Sequence, residues 1–281
     1  MRVQLWGTRG SLAAPGAETA RFGGNTSCVE VRGSGGTMLV LDAGTGIRRL
    51  GAARRGAARR VHVLLSHFHM DHIQGLGFFD ALFDPEVETH VWGPARNVGD
   101  LRDRLVRYLS PPLFPVHLRD LPNLRLHDVP CEPFSVGEFR VRAERVCHPG
   151  WTVGYRIEAE EGVLAYLSDH EPALGVTRFP PPPDWTSGYE LARGADLLLH
   201  DAQYSLSEYP AYVGWGHSAI DHALAFARLA GVRHLVTCHH DPEHSDDDID
   251  RLTAEAADRE RPPCPVTPGA EGAVFDLGAG T

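Results

Sequence analysis

Three histidines and an aspartate fall within six residues, His67-Phe68-His69-Met70-Asp71-His72, directly behind the apolar run Val61-His62-Val63-Leu64-Leu65. Neutral imidazole together with carboxylate suits zinc, and also manganese or iron. Donors this dense would be costly to bury without a ligand to satisfy them. The apolar run reads as a buried strand, and Gly75 and Gly77 mark the turn that follows. Alternation along an extended segment sends His67, His69 and Asp71 to one side, while a turn at Asp71-His72 brings the last imidazole to a neighbouring point. This is half of a metal site.

The other half has to come from elsewhere in the chain, and strand ends supply it. His148 follows the strand-like Phe139 to Val146, Asp169 follows Val163 to Ser168, and His239 and His240 follow His234 to Cys238. Residues delivered at the ends of successive strands can converge on one edge of a sheet, where sites on layered folds form. Each such residue alone is more often a surface group or a satisfied core group. Beside the H-x-H-x-D-H core they make a set.

The elements that must position these donors follow from periodicity and turn chemistry. Val3 to Trp6 reads as a strand, and Cys28–Arg32 with Thr37–Leu41 as a hairpin about Gly33-Ser34-Gly35-Gly36. Asp42-Ala43-Gly44-Thr45-Gly46 closes that hairpin and opens a short helix. The pattern then predicts a helix over Ile73–Phe83, a strand over Val87–Trp92, and a helix capped by Asn97 that runs to Tyr108. Strands are expected at 116–121, 124–129 and 138–146, with a hairpin from Thr152 to Leu167. A helix over 187–193 leads to the strand Asp196–His200. After the tyrosine-rich loop 204–216 come a helix over 218–230, a strand from Val232 to Cys238, and a helix over 246–260 capped by Ser245. With no internal repeat and no shift in composition, residues 1–281 read as one domain.

Composition narrows the setting. No run of 18 apolar residues is present, so no membrane span is expected. The N-terminus enters a strand-like segment at once and lacks the apolar core of a signal peptide. Five scattered cysteines without a C-x-x-C pair indicate reduced thiols and a cytoplasmic setting. The net charge of −10 argues against large nucleic acid as a general partner, though not against a small phosphate ester. Arg48, Arg49, Arg54, Arg55, Arg59 and Arg60 read as a solvated face rather than a phosphate patch. Homodimerisation is left open.

Taken together, these donors resemble the metallo-β-lactamase superfamily, which implies an α/β fold, a four-layer αββα sandwich. The resemblance implies two divalent ions, zinc before manganese or iron. By the same resemblance one ion is held by His67, His69 and His148 and the other by Asp71, His72 and His239. Asp169 would bridge them, and Asp42 would support the ligand loop. His239 matches the family's strand-end position better than His240 does.

Other segments are similar to the ribonuclease Z-like phosphodiesterase branch. They are Gly7-Thr8-Arg9-Gly10-Ser11 with Gly24-Asn25-Thr26-Ser27, His200-Asp201-Ala202-Gln203-Tyr204, and Gly216-His217-Ser218. Asp201 stands where those ribonucleases carry glutamate, and a glycine-rich basic arm for transfer RNA is absent. Both departures favour a smaller diester.

Two ions about 3.5–4 Å apart can activate a shared water for attack on phosphorus. His217, paired with Asp201, is then expected to protonate the leaving oxygen, so His217, Asp201 and Asp71 form the catalytic set. The alternatives are an RNA-processing nuclease, an ester, thioester or lactone hydrolase, and a metal-holding accessory protein in a biosynthetic pathway. Tyr204, Tyr209, Tyr212 and Trp215 could stack on a nucleobase, but packing of the loop against the protein is the first expectation. His170, which directly follows Asp169, is a candidate for supporting the ligands from behind. Cys147 and Cys238 are expected as small core residues.

Overall fold

Alternation decides where β1 (Arg2–Gly7) puts its side chains: Val3 and Leu5 enter the layer between two sheets, while Trp6 packs on the opposite face. A computed structural model describes residues 1–95, 100–174 and 179–278. The first sheet continues with β2 (Cys28–Arg32), β3 (Met38–Leu41), β4 (Arg60–Leu64), β5 (Glu88–Gly93) and β6 (Leu124–Asp128). The second is made of β7 (Phe134–Val136), β8 (Phe139–Arg145), β9 (Val153–Ala159), β10 (Gly162–Leu167), β11 (Leu197–Asp201), β12 (Leu235–Cys238) and β13 (Val266–Pro268). The last strand, β14 (Val274–Asp276), returns to the first sheet beside β1. The strand orders are β14-β1-β2-β3-β4-β5-β6 and β13-β12-β11-β10-β9-β8-β7.

Each sheet pairs an antiparallel half with a parallel one, β3 to β6 in the first and β10 to β13 in the second. Parallel strands are buried on both faces and need helices over them. On the first sheet these are α1 (Gly46–Ala53), α2 (Met70–Ile73) and α3 (Asp100–Tyr108). Ile47, Leu50, Ile73, Leu101 and Leu105 pack there against Val40, Val63 and Val91. On the second they are α4 (Tyr189–Ala192), α5 (Ile220–Ala230) and α6 (Asp246–Glu260), which meet Ala165, Leu198 and Leu235 through Leu191, Leu224 and Leu252. Between the sheets lie Val31, Leu39, Phe139, Tyr155, Tyr166, Leu199 and Val236. The result is the expected four-layer αββα sandwich. No helix among the described residues is long and apolar enough to cross a membrane.

Several elements differ from the sequence pattern. Residues 73–83 do not form one helix: α2 ends at Ile73, and 3₁₀ turns follow at Leu76–Phe78 and Asp80–Leu82. The Gly75 N–H leaves the helix to donate to Ala43 O at 2.9 Å. A Cβ at Gly75 would lie 2.0 Å from Gly44 O, so glycine is needed where the two backbones cross. Residues 116–121 form no strand. The sheet ends at β6, and this segment turns locally at Leu118–Asp120 to bury Leu118 and Leu121. Asn97 lies outside the described residues, where the proposed cap falls. The short strands β7, β13 and β14 carry too few residues for an alternation to be read.

Ser245 caps α6 through a reciprocal pair: its Oγ accepts from Asp248 N, and Asp248 accepts from Ser245 N. Ser245→Ala is expected to lower unfolding free energy by about 0.5–2 kcal/mol. Urea denaturation checks it, and an unchanged midpoint would refute the capping role.

Candidate metal centre

The donors stand at the carboxyl ends of strands from both sheets. His67, His69, Asp71 and His72 follow β4, His148 follows β8, Asp169 follows β10, and His239 follows β12. Asp71 and His72 lie in the first turn of α2 rather than on an extended segment, since the chain leaves its extended conformation after His69, the N-cap position. The helical turn therefore separates Asp71 from His67 and His69 and delivers it with His72 to a second point. A third group, Asp201, His217 and His239, adjoins two that share an aspartate: His67, His69, His148 and Asp169, and then Asp71, His72, Asp169 and His239. Within each group the ligand atoms lie within 4.8 Å of one another. Asp169 is that shared aspartate. Its Oδ2 is 3.6 Å from His67 Nε2, 3.5 Å from His148 Nε2 and 3.3 Å from His239 Nε2, and its Oδ1 is 3.0 Å from His72 Nε2.

These approaches are mostly not hydrogen bonds. Nε2 of His67, His72 and His148 and Oδ1 of Asp169 are buried without a hydrogen-bond partner. Such groups are costly unless something else satisfies them, and a cation does. The opposite ring nitrogens are engaged. His72 Nδ1 donates to Asp42 Oδ2 at 2.8 Å, His148 Nδ1 to Pro149 O at 2.9 Å, and His239 Nδ1 to Gln203 Oε1 at 3.0 Å. His67 Nδ1 lies 3.0 Å from Ser66 Oγ, which itself donates to Asp42. Fixing Nδ1–H leaves Nε2 bare, the tautomer a metal needs. The donor set fits two cations.

Electrostatics agree. Burial drives His67 well below its ordinary value and His148 down to about 4. Burial also opposes charge on His72 and His239, but there Asp169 and Asp71 outweigh it, raising His72 well above its ordinary value and His239 to about 9. Asp71 and Asp169 remain ionised against the cost of burial because imidazoles surround them. Ionised carboxylates among imidazoles are a setting that favours a cation.

Two further groups complete the site. Asp201, at the end of β11, accepts from His217 Nδ1 at 2.6 Å and from Ser218 N at 2.9 Å. The His217 ring stacks on His239 (4.8 Å, 12°) and stands edge-on to His148 (5.3 Å), which places it beside both donor groups. His217, Trp215, Ser11 and Pro149 line a cavity of about 500 Å³ with His69, Asp71 and Asp169. A separate cavity of about 310 Å³, lined by Met38, Val61, Phe79 and Val87, lies outside the donor cluster.

The segment Gly7–Ser11 runs along the rim. Ser11 N donates to Asp71 Oδ2 at 2.9 Å. Arg9, fully buried, bonds the carbonyls of Gly23, Asp241 and His244 and so fixes the chain just after His239. His240 turns away, its Nε2 donating to Gly269 O at 2.9 Å.

Other sequence features settle into supporting roles. Tyr204 is buried and stacks flat on Tyr212 (4.4 Å, 7°), and Tyr209 bonds Glu171, while Trp215 remains 62% exposed. His170 Nδ1 lies 2.9 Å from His200 Nε2 in a buried pair behind Asp201. Arg49, Arg54, Arg55, Arg59 and Arg60 pair with Glu271, Glu30, Asp80, Glu86 and Glu88. Cys238 is buried, its thiol pushed up to about 12, while Cys147 is half-buried. Sequence reasoning missed the roles of Glu171 and Gln203, which act through hydrogen bonds to other loops and carry no spacing signal.

The chain belongs to the β-lactamase superfamily: the family model described as "Beta-lactamase superfamily domain" matches residues 37–240. An uncharacterized protein of Mycobacterium leprae is 30% identical over 265 residues, covering 89% of this chain and 81% of its own. A ribonuclease Z of Natronomonas pharaonis is 28% identical over 280 residues, covering 85% and 86%. The metallo-β-lactamase fold protein YhfI from Bacillus subtilis superposes with a TM-score of 0.71 at 19% identity, covering 98% of both chains.

A Cβ at Gly10 would lie 2.3 Å from His239 Nδ1. Gly10→Ala is therefore expected to displace the His239 ring and lower bound metal, with circular dichroism unchanged. Full metal content in this variant would show that His239 is not a ligand.

Proposed function

We propose that the protein is a dinuclear metal-dependent hydrolase, a phosphodiesterase acting on a small or cyclic, nucleotide-like diester in the cytoplasm. In this reading residues 1–281 form a single catalytic domain. His67, His69 and His148 hold one ion, and Asp71, His72 and His239 hold the other. Asp169 is shared, and zinc is the expected ion, with manganese or iron as the alternatives. When bound, such a pair activates water at neutral pH and neutralises charge on phosphoryl oxygens.

The observation that carries the reading is the His217–Asp201 pair. An ester with a good leaving group needs only the ions, whereas an alkoxide leaving group needs a proton. In this reading His217 gives it. Its Nδ1 is held by Asp201 at 2.6 Å, and its ring lies beside both donor groups on the cavity wall. A proton donor positioned this way is typically worth about 10²–10⁴-fold. Asp201 is buried and accepts three further backbone N–H groups, from His170, Gln203 and Ser218, which hold it in place to orient the imidazole.

A second reading, processing of RNA 3′ ends, draws on the similarity to a ribonuclease Z. The net charge of −10 and the paired arginines of α1 and the turn behind it weigh against a long polyanion. Cleavage of structured RNA by the purified protein would reverse that preference.

Elemental analysis of protein purified without chelators is expected to find two ions per chain. A stoichiometry of one or none, with no gain on adding zinc or manganese, would sink the dinuclear reading. Asp169→Ala removes the anion shared by both groups and should lose at least one ion together with activity.

His217→Ala should slow a ribose-type diester by about 10²-fold or more and a nitrophenyl ester far less, with both ions retained. Asp201→Asn should act the same way more mildly. Equal slowing on both substrates would assign His217 to binding or folding instead.

A further inference from the structure

Trp215 is a large aromatic side chain left 62% exposed on the rim of the catalytic cavity. Scattered exposed hydrophobics need no explanation, but this one is built into place. It stands between Gly214 and Gly216, whose φ values of +87° and +90° favour glycine. Both glycine N–H groups donate to the carboxylate of Glu171: Gly214 at 3.0 Å and Gly216 at 2.9 Å. Tyr209 Oη donates to the same carboxylate at 2.6 Å.

Glu171 is itself buried, two residues beyond Asp169, and its N–H donates to Cys147 O at 3.0 Å beside His148. One acid thus ties the tip of the loop to the two strand ends that deliver His148 and Asp169. The loop passes so close that a Cβ at Gly216 would lie 2.4 Å from the His148 ring. From the inside, Tyr204 stacks on Tyr212, and Tyr212 meets the Trp215 ring edge-to-face at 5.4 Å. A buried carboxylate satisfied by these donors holds the loop tip, and Trp215 with it, in one place.

We propose that Trp215 is the platform on which the planar base of a nucleoside-bearing diester stacks, and that Glu171 is the residue that positions it. The inference rests on the phosphodiesterase reading and narrows it to substrates that carry an aromatic ring next to the scissile phosphate. Stacking of a base on an aromatic side chain corresponds to about 5–150-fold in binding.

The test uses two diesters with one leaving group, thymidine 5′-(p-nitrophenyl phosphate) and methyl p-nitrophenyl phosphate, with the zinc-loaded protein. The wild type is expected to favour the thymidine ester in kcat/KM by at least about fivefold. Trp215→Ala should bring that ratio near one, and Trp215→Phe should keep most of it. Trp185→Ala, at an exposed tryptophan away from the cavity, should leave it unchanged. Glu171→Gln places a donor where N–H groups now converge. It should lower the ratio by raising KM for the thymidine ester more than for the methyl ester.

A wild-type ratio near one, or a ratio that survives Trp215→Ala, overturns the inference while hydrolysis of both esters leaves the diesterase reading standing. If Glu171→Gln lowers kcat on both esters alike, Glu171 is structural and not a positioning residue. Hydrolysis of neither ester overturns the diesterase reading, and the inference falls with it.

Discussion

The carboxylate of Asp42 is where the two sheets and the ligand loop are joined. It sits at the end of β3, fully buried, and accepts from Ser66 N at 2.7 Å, Ser66 Oγ at 2.8 Å and His72 Nδ1 at 2.8 Å. From the second sheet Tyr166 Oη donates to it at 2.8 Å. A buried anion without donors would cost several kcal/mol. With this many it instead fixes the start of the ligand loop, the tautomer of His72 and the spacing between the sheets. Tyr155, also from the second sheet, repeats the link by donating to Leu65 O at 2.6 Å. The candidate donors are thus held by hydrogen bonds from residues outside the donor set.

That preorganisation explains the distribution of charge. Asp71 and Asp169 lie among imidazoles whose bare nitrogens face inward, and His217 with Asp201 stands outside that ring of donors. The two sets meet at His239, whose ligand atom also lies within 4.8 Å of those of Asp201 and His217. Gln203 mediates between them. It accepts from His239, its N–H donates to Asp201, and Asp201 in turn receives His217.

The ligand loop was legible because its donors are dense in sequence, and His148, Asp169 and His239 because each directly follows an apolar strand pattern. The layer order was legible for a similar reason, since parallel strands leave continuous apolar runs such as Asp196-Leu197-Leu198-Leu199-His200. Residues that act by closing one loop onto another were not legible. Glu171 bonds a loop some forty residues away, and Arg9 bonds carbonyls more than two hundred residues away. The helix expected over 73–83 failed for the same reason: a backbone contact with Ala43 and Gly44, invisible to periodicity, diverts the chain at Gly75.

Backbone strain marks the same frame. Among the described residues four non-glycine positions have positive φ: Ser11 at 58°, Asp42 at 59°, His239 at 59° and Arg261 at 46°. Three of the four are at the site. Such conformations cost on the order of 1–3 kcal/mol each and persist only where the surroundings over-determine them. Here the surroundings are visible. Ser11 is pinned by its N–H on Asp71, Asp42 by donors from both sheets, and His239 by Gln203 on one side and by the close approach of Gly10 on the other. In each case the strained residue either supplies a donor atom or holds one in place. At Asp42 and His239 the left-handed turn takes the chain off the direction of the strand it has just left. The fold's stability is therefore drawn on where the chain must bend inward, and the hydrogen bonds that offset the cost are the ones that set the geometry of the site.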